Sequence, residues 1–368
     1  MQKKKLVKIA LRILEIIIAI IILVTVFINI NPIFGGRISK EDKSDYEKRA
    51  ENYVNGRFIY PSEYEIKNEF TDDPVSKKEK VPKGVLPSAN PSISKTSKEE
   101  FAVTWFGHSS LLIQMNGMNI LIDPMFSERS SPISFMGPKR FSKPPIKIEE
   151  LPEIDIVIIS HDHYDHLDMK SIKELDSKVS KYIVPLGVNK HLERWKIDKS
   201  KIQDMAWWEE FEVDGLTIAC TPARHFSNRK GFNINRTLYA SWVLKNENYQ
   251  VYESGDGGFG GHFKEIRERY GDFDIAIMEN GQYNMKWHSS HMFPEEAAET
   301  AKILGAKKAM PIHWGAFVLS DHGWDDSVER FVKASEKLDT EVITPKIGET
   351  VYLDKYLNYQ EKWWKDIE

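Results

Sequence analysis

An octapeptide dense in metal donors, His161-Asp162-His163-Tyr164-Asp165-His166-Leu167-Asp168, follows directly on the apolar run of residues 154–160. That run is short and, apart from Asp155, rich in isoleucine, the pattern of a largely buried strand. A strand end is a rigid base, and the turn beyond it lets alternate side chains converge. His161 and His163 face one centre, Asp165 and His166 a second. Imidazole and carboxylate together hold divalent ions, typically zinc, and the same donors accept manganese or iron. Cys220 is the only cysteine, which excludes an internal disulfide, a zinc finger and an iron–sulfur cluster. Any metal here is held by histidine and carboxylate.

Further donors stand at the ends of other expected strands. His225 follows a strand over residues 216–221 and a proline turn. Asp256 lies in Glu253-Ser254-Gly255-Asp256-Gly257 after a strand over 249–254, where the glycines let backbone come close. His313 ends a strand over 309–312. Strands are also expected over 101–106, 110–115, 118–123, 182–185, 238–244 and 275–278, with Asn116-Gly117 as a hairpin turn. Helices are expected over 168–179, 263–270, 294–304 and 327–338. Strands in runs with helices between them give an α/β (α+β) class in which packed sheets are covered by helices.

The N-terminus reads differently. Lys3, Lys4, Lys5, Lys8 and Arg12 precede an uncharged stretch of 21 residues, 16–36, that is nearly all Ile, Val, Leu and Phe up to residue 30. A helix crossing the hydrocarbon core needs about 20 apolar residues. Asn29-Ile30-Asn31-Pro32 offers no small-residue cleavage site. Residues 1–36 are therefore expected to form an uncleaved, single-pass anchor in the cell membrane. Its flanking positive charge puts the N-terminus in the cytoplasm and the body on the outer face. Residues 37–98, polar and proline-containing, read as a tether or wrapping segment, with 62–70 packing on the body. The catalytic region runs over 99–355 and a tail over 356–368. With a net charge of −4 the chain has no basic field for nucleic acid.

These donors, taken with their flanking sequence, resemble the metallo-β-lactamase superfamily, an αββα sandwich with a binuclear site at one sheet edge. Within it the chain is most similar to N-acylphosphatidylethanolamine-hydrolysing phospholipase D. The resemblance spans roughly residues 104–353. It rests on Thr104-Trp105-Phe106-Gly107-His108, Asp123-Pro124-Met125-Phe126-Ser127, Met136-Gly137-Pro138-Lys139-Arg140-Phe141, the octapeptide, Val184-Pro185-Leu186-Gly187, Trp207-Trp208-Glu209-Glu210 and Ile312-His313-Trp314-Gly315. It implies one zinc on His161, His163 and His225, a second on Asp165, His166 and His313, and Asp256 bridging them. It also implies that His291 polarises the phosphate or assists proton transfer. The chain departs from the family at Met278-Glu279-Asn280-Gly281-Gln282-Tyr283, where Glu279 is expected to bear on which head group fits.

Two ions sharing a hydroxide of lowered pKa suit in-line attack on a phosphodiester. By resemblance the products are phosphatidic acid and an N-acylethanolamine. Asp162, Tyr164 and Asp168 are expected to orient the ligand histidines. Lys139, Arg140, Lys143 and Lys147, interspersed with Phe135, Met136 and Phe141, are expected to meet phospholipid head groups at the bilayer. The alternative is a metal hydrolase of a lactone, amide or carboxylic ester. A non-catalytic scaffold would have no need of the full donor set. The assembly, homodimer included, stays open.

Overall fold

A computed structural model describes residues 2–65, 79–91, 93–355 and 359–367. Helix α1 (Gln2–Ile30) leads to α2 (Lys40–Arg49) and a small hairpin of β1 (Tyr53–Val54) and β2 (Arg57–Phe58). The first sheet then begins with β3 (Phe101–Trp105), β4 (Leu111–Met115) and β5 (Met118–Ile122). Asn116 and Gly117 join β4 to β5 with φ of 58° and 71°, the left-handed pair that a two-residue hairpin turn requires. Next come β6 (Ile154–Ile158), α3 (Met169–Leu175), β7 (Val179–Pro185), α4 (Asn189–Arg194) and β8 (Ile202–Met205).

The second sheet contains β9 (Glu210–Val213), β10 (Leu216–Thr221), β11 (Ser241–Lys245) and β12 (Gln250–Glu253). It continues through α5 (His262–Tyr270), β13 (Ile275–Glu279), α6 (Pro294–Ile303), β14 (Lys308–Ile312), α7 (Asp326–Lys337) and β15 (Glu341–Val342). Strand β16 (Thr350–Tyr352) returns to pair with β3. Each sheet has seven strands, in the orders β16-β3-β4-β5-β6-β7-β8 and β15-β14-β13-β12-β11-β10-β9. Both follow one plan, antiparallel first and parallel after β5 or β12. Each parallel step beyond β6 or β12 carries a crossover helix, as parallel strands require.

Layering explains the largely apolar run before the octapeptide. Ile156 and Ile158 face the opposite sheet, while Ile154, Val157 and Ile159 pack with Ile172 and Leu175 of α3 and Leu192 of α4. On the far side, Phe263, Ala297, Ala301, Val328 and Phe331 of α5, α6 and α7 pack with Ile275 and Ile277. The expected αββα sandwich is the observed fold. The strands differ from expectation in three ways: β7 begins at Val179, within the helix expected over 168–179; β8, β9, β15 and β16 were not expected; and residues 238–240 lie outside β11. Leu238 N donates to Leu186 O and Ala240 N to Ser160 O, so this stretch bonds across to the first sheet.

Helix α1 is long and apolar enough over Lys3–Ile30 to cross a membrane, and none of that span is buried against the body. After it, Ser39 caps α2 in a reciprocal box with Asp42. Tyr46, Ala50, Tyr53 and Phe58 then join the sandwich core. Arg49 donates to both Glu209 carboxylate oxygens (3.0 and 2.7 Å) and to Asp204 Oδ1 (3.0 Å). Of the packing expected over 62–70, residues 66–70 lie outside the described residues.

Phe58 is fully buried between Tyr46 and Tyr53. Phe58→Ala is therefore expected to lower stability by about 3 kcal/mol. Denaturant unfolding of the full chain in detergent checks this, and an unchanged midpoint would mean that this segment is not part of the core.

Candidate metal centre

The octapeptide leaves β6 and coils immediately, with His166 N and Leu167 N both donating to His163 O. That turn aims donors from one short segment at two neighbouring points. Donor atoms of His161, His163, His225 and Asp256 lie within 4.8 Å of one another. So do those of His108, Asp165, His166 and His313, and those of Asp256, His291 and His313. Asp256 sits between the groups: Oδ2 is 3.1 Å from His166 Nε2 and 3.9 Å from both His161 Nε2 and His225 Nε2. Its Oδ1 is 3.2 Å from His313 Nδ1.

The chemistry of these atoms fits a metal. His161 Nε2, His166 Nε2, His313 Nε2 and Asp256 Oδ1 are buried without a hydrogen-bond partner. Such atoms cost about 1–3 kcal/mol each when left unmet, and a cation at their common focus meets them together. Burial, reinforced by neighbouring imidazoles, pushes His161 and His225 well below the ordinary histidine range. His313 is pushed down as well, again chiefly by burial. These rings are neutral at pH 7 and keep a lone pair for a metal. Against its own burial, Asp256 is held far below the usual carboxylate range by His166 and His313.

A second tier of contacts fixes the rings. Asp123 Oδ2 lies 2.7 Å from His166 Nδ1, and Asp123 itself accepts from Ser160 N (2.8 Å) and Ser160 Oγ (2.5 Å). Ser160 Oγ also reaches His161 Nδ1 at 2.9 Å. Ser109 Oγ contacts His313 Nδ1 at 2.8 Å, and His225 Nδ1 donates to Ser290 O at 2.9 Å. Gly255, at φ 53°, lets this backbone pass Ala240: a Cβ there would lie 2.6 Å from Ala240 O.

Several expectations need correction. Asp162, Tyr164 and Asp168 do not hydrogen-bond a ligand histidine. Asp162 accepts from Asn228 N and faces His191, Tyr164 Oη donates to Arg229 O, and Asp168 caps α3. The tight turn after β6 points these side chains away from the centre. Arg140, expected at head groups, is only 9% exposed. It donates to Met125 O and Ser127 O and lies 4.8 Å over the Phe317 ring, where irregular backbone carbonyls need a donor. Lys139 is on the surface and paired with Glu128 at 2.9 Å.

His291 is at the centre. Its Nδ1 is 2.6 Å from Glu279 Oε1, and its ring lies 5.1 Å from that of His225. Burial pushes the Glu279 carboxyl up to about 8, and Glu279 in turn holds His291 above the ordinary range against its own burial. Sequence reasoning missed His108, whose Nε2 is 2.9 Å from Asp165 Oδ2 and whose ring lies 4.1 Å from that of His313. The signal was present: His108 closely follows a strand, as the ligands do, and a glycine precedes it, as one precedes Asp256. Asp123 carried the same mark, closing the strand expected over 118–123, and was likewise missed.

The sequence pattern of the beta-lactamase superfamily domain matches residues 118–314, from β5 to just past His313. An uncharacterized protein of Mycobacterium tuberculosis is 39% identical over 274 residues, 73% of each chain. N-acyl-phosphatidylethanolamine-hydrolyzing phospholipase D 1 of Caenorhabditis elegans is 35% identical over 270 residues, 69% of this chain and 76% of that one. Among solved structures, a metallo hydrolase from Ignicoccus hospitalis shares the fold at TM-score 0.53 and 22% identity, covering 69% of this chain and 98% of that one.

Removing a group that orients a ligand typically costs about 10–100-fold in metal affinity. Asp123→Asn is expected to weaken metal retention by that factor, read as the chelator concentration that strips half the bound metal. Retention equal to the unaltered chain would show that Asp123 does not support His166.

Proposed function

The chain belongs to the beta-lactamase superfamily and is a hydrolase of the metallo-β-lactamase fold, and from that premise we propose that it is a zinc-dependent phosphodiesterase of phospholipase D type acting on N-acylphosphatidylethanolamine-like lipids. The observation that carries the reading is the complete donor set around Asp256 in a chain 35% identical, over 270 residues, to a phospholipase D of that specificity. His161, His163 and His225 would hold one zinc, Asp165, His166 and His313 the other, with Asp256 placed to serve both. Zinc bound there supplies an acidified water and an electrophile for a phosphate oxygen.

The remaining work falls to side chains of this protein. The attacking water, which gives up one proton to solvent, would join phosphorus through its oxygen as the bond from phosphorus to the N-acylethanolamine oxygen breaks, and the leaving alkoxide takes up a proton in exchange. His291, protonated through its contact with Glu279, holds that proton at the centre. Helix α1 anchors the body in the cell membrane with the N-terminus in the cytoplasm and the centre on the outer face, beside its lipid substrate.

Turnover of N-acylphosphatidylethanolamine in mixed micelles by the full chain, with metal content read on the same sample, tests the reading. Cleavage that a chelator abolishes and zinc restores is expected. Two bound metals with no diester cleavage, alongside hydrolysis of a lactone, amide or ester, would overturn it. His291→Gln is expected to lower kcat by about 100-fold or more with both metals retained. Asp256→Asn is expected to lose activity and metal together, and near-normal turnover in that variant would remove Asp256 from its bridging place.

A further inference from the structure

The end of α1 is bonded to the body rather than free. Arg194 Nη2 donates to Asn29 O (3.1 Å) and Ile30 O (2.8 Å), and Trp195 Nε1 donates to Pro32 O (2.7 Å). Gly36 N donates to His191 Nδ1 at 2.9 Å, and Arg229 Nε to Ile33 O at 2.8 Å. The approach is tight: a Cβ on Gly35 would lie 2.0 Å from His191 Nδ1. The level at which α1 leaves a bilayer therefore fixes the level of Arg194, Trp195 and Arg229.

Those same residues touch the metal-binding turn. Arg229 is buried between the rings of Tyr164 and Trp195, and its Nη1 donates to Asp162 O (2.8 Å) and Leu167 O (2.9 Å). His191 Nε2 lies 3.4 Å from Asp162 Oδ2. From Arg229 the chain runs outward through Lys230, Gly231, Phe232, Asn233 and Ile234, then returns where Phe58 N donates to Asn235 O. At its inner end Phe226 packs on the rings of His163 and His225, 4.6 and 4.9 Å away.

The tip of this loop exposes Phe232 (63%) and Ile234 (43%), two apolar side chains on a loop whose Arg229 bonds the chain just past the end of α1. At the base of the loop, burial lowers Lys230 from its ordinary range, and Arg37 and Arg194 lie close enough to lower it further by repulsion. Among the described residues, none of the three is ion-paired to a carboxylate. Apolar tips ringed by unpaired cations fit the boundary of a bilayer carrying anionic lipid.

We propose that residues 229–236, with Arg37 and Arg194, form the surface on which the body seats on the bilayer, Phe232 and Ile234 entering the interface and the three cations meeting anionic phospholipid head groups. The metal-binding turn then stands directly above the lipid surface, held there through Arg229 and His191. The inference rests on α1 being the membrane anchor.

Spin labels in the full chain, reconstituted into vesicles of phosphatidylcholine with and without phosphatidylglycerol, test it by depth rather than by turnover. Cys220 is buried and its thiol is pushed up by that burial, so introduced cysteines are labelled selectively. Three sites are read separately: Leu23→Cys within α1, Phe232→Cys on the loop, and Phe135→Cys on the other exposed apolar loop, where Phe135 is 80% exposed. Labels at 23 and 232 are expected to relax preferentially with oxygen, and the label at 135 with a water-soluble nickel chelate. Adding Arg37→Gln and Lys230→Gln, or omitting phosphatidylglycerol, is expected to shift the label at 232 toward the chelate. A label at 23 in lipid with that at 232 in water overturns the seating surface and keeps the anchor. A lipid-buried label at 135 in place of 232 overturns it in favour of that loop. A label at 23 in water overturns anchor and surface together, whatever the enzyme hydrolyses.

Discussion

One buried carboxylate, Asp256, organises this protein. It faces His161, His166, His225 and His313 within 3.1–3.9 Å, and those residues follow β6, β10 and β14 while Asp256 follows β12. The convergence draws on both sheets, so the sandwich has to bring the ends of two separate sheets to one point. A cluster of buried lone pairs would push such an assembly apart. A cation at their focus turns the same atoms into the contacts that hold the sheet ends together. The closely packed strands behind them, Ile156 and Ile158 against the second sheet, supply the rigidity that keeps the focus narrow.

Legibility in the sequence followed locality. The octapeptide was readable because four donors fall within six residues behind one strand, and His225, Asp256 and His313 because each closes an expected strand. Most helices and strands of the body were readable from period and turn chemistry, though not the short α4, β8, β9, β15 and β16, and the αββα arrangement was readable from the resemblance those donors carry. What escaped depends on contacts across long separations. His108 meets Asp165 57 residues away, Asp123 meets His166 across 43, and Ser109 meets His313 across 204. Nothing near these residues announces the partner. Arg140 shows the reverse error: its charge suggested an exposed role, while unmet carbonyls of Met125 and Ser127 draw it inward.

The segment after α1 makes the same point about composition. Residues 40–49 read as polar because lysines and acids cover one side of α2, yet Tyr46 on its other side reaches the core together with Tyr53 and Phe58. A few aromatic anchors at long spacing are enough to seat a polar segment, each burying a large area without raising the local hydropathy much. Arg49 adds direction, binding both oxygens of Glu209, in the Trp207-Trp208-Glu209-Glu210 stretch, and thereby registering α2 against β8 and β9.

Glu279 shows where this chain sets its own chemistry. It ends β13 fully buried, contacts His291 through Oε1 and leaves Oε2 without a partner. With Asp256 nearby its ionised form is disfavoured further, beyond the effect of burial. Asp123 and His166 form a comparable pair on the first-sheet side, but there Ser160 donates twice to the carboxylate. Those two hydrogen bonds hold the Asp123 carboxylate in place, so that the Asp123 pair orients a ligand. Glu279 has no such serine; burial pushes its carboxyl up, and it in turn holds His291 above the ordinary range. In the proposed reaction that difference assigns the two carboxylates opposite work: Asp123 holds a ring still, and Glu279 keeps the His291 proton beside the departing oxygen.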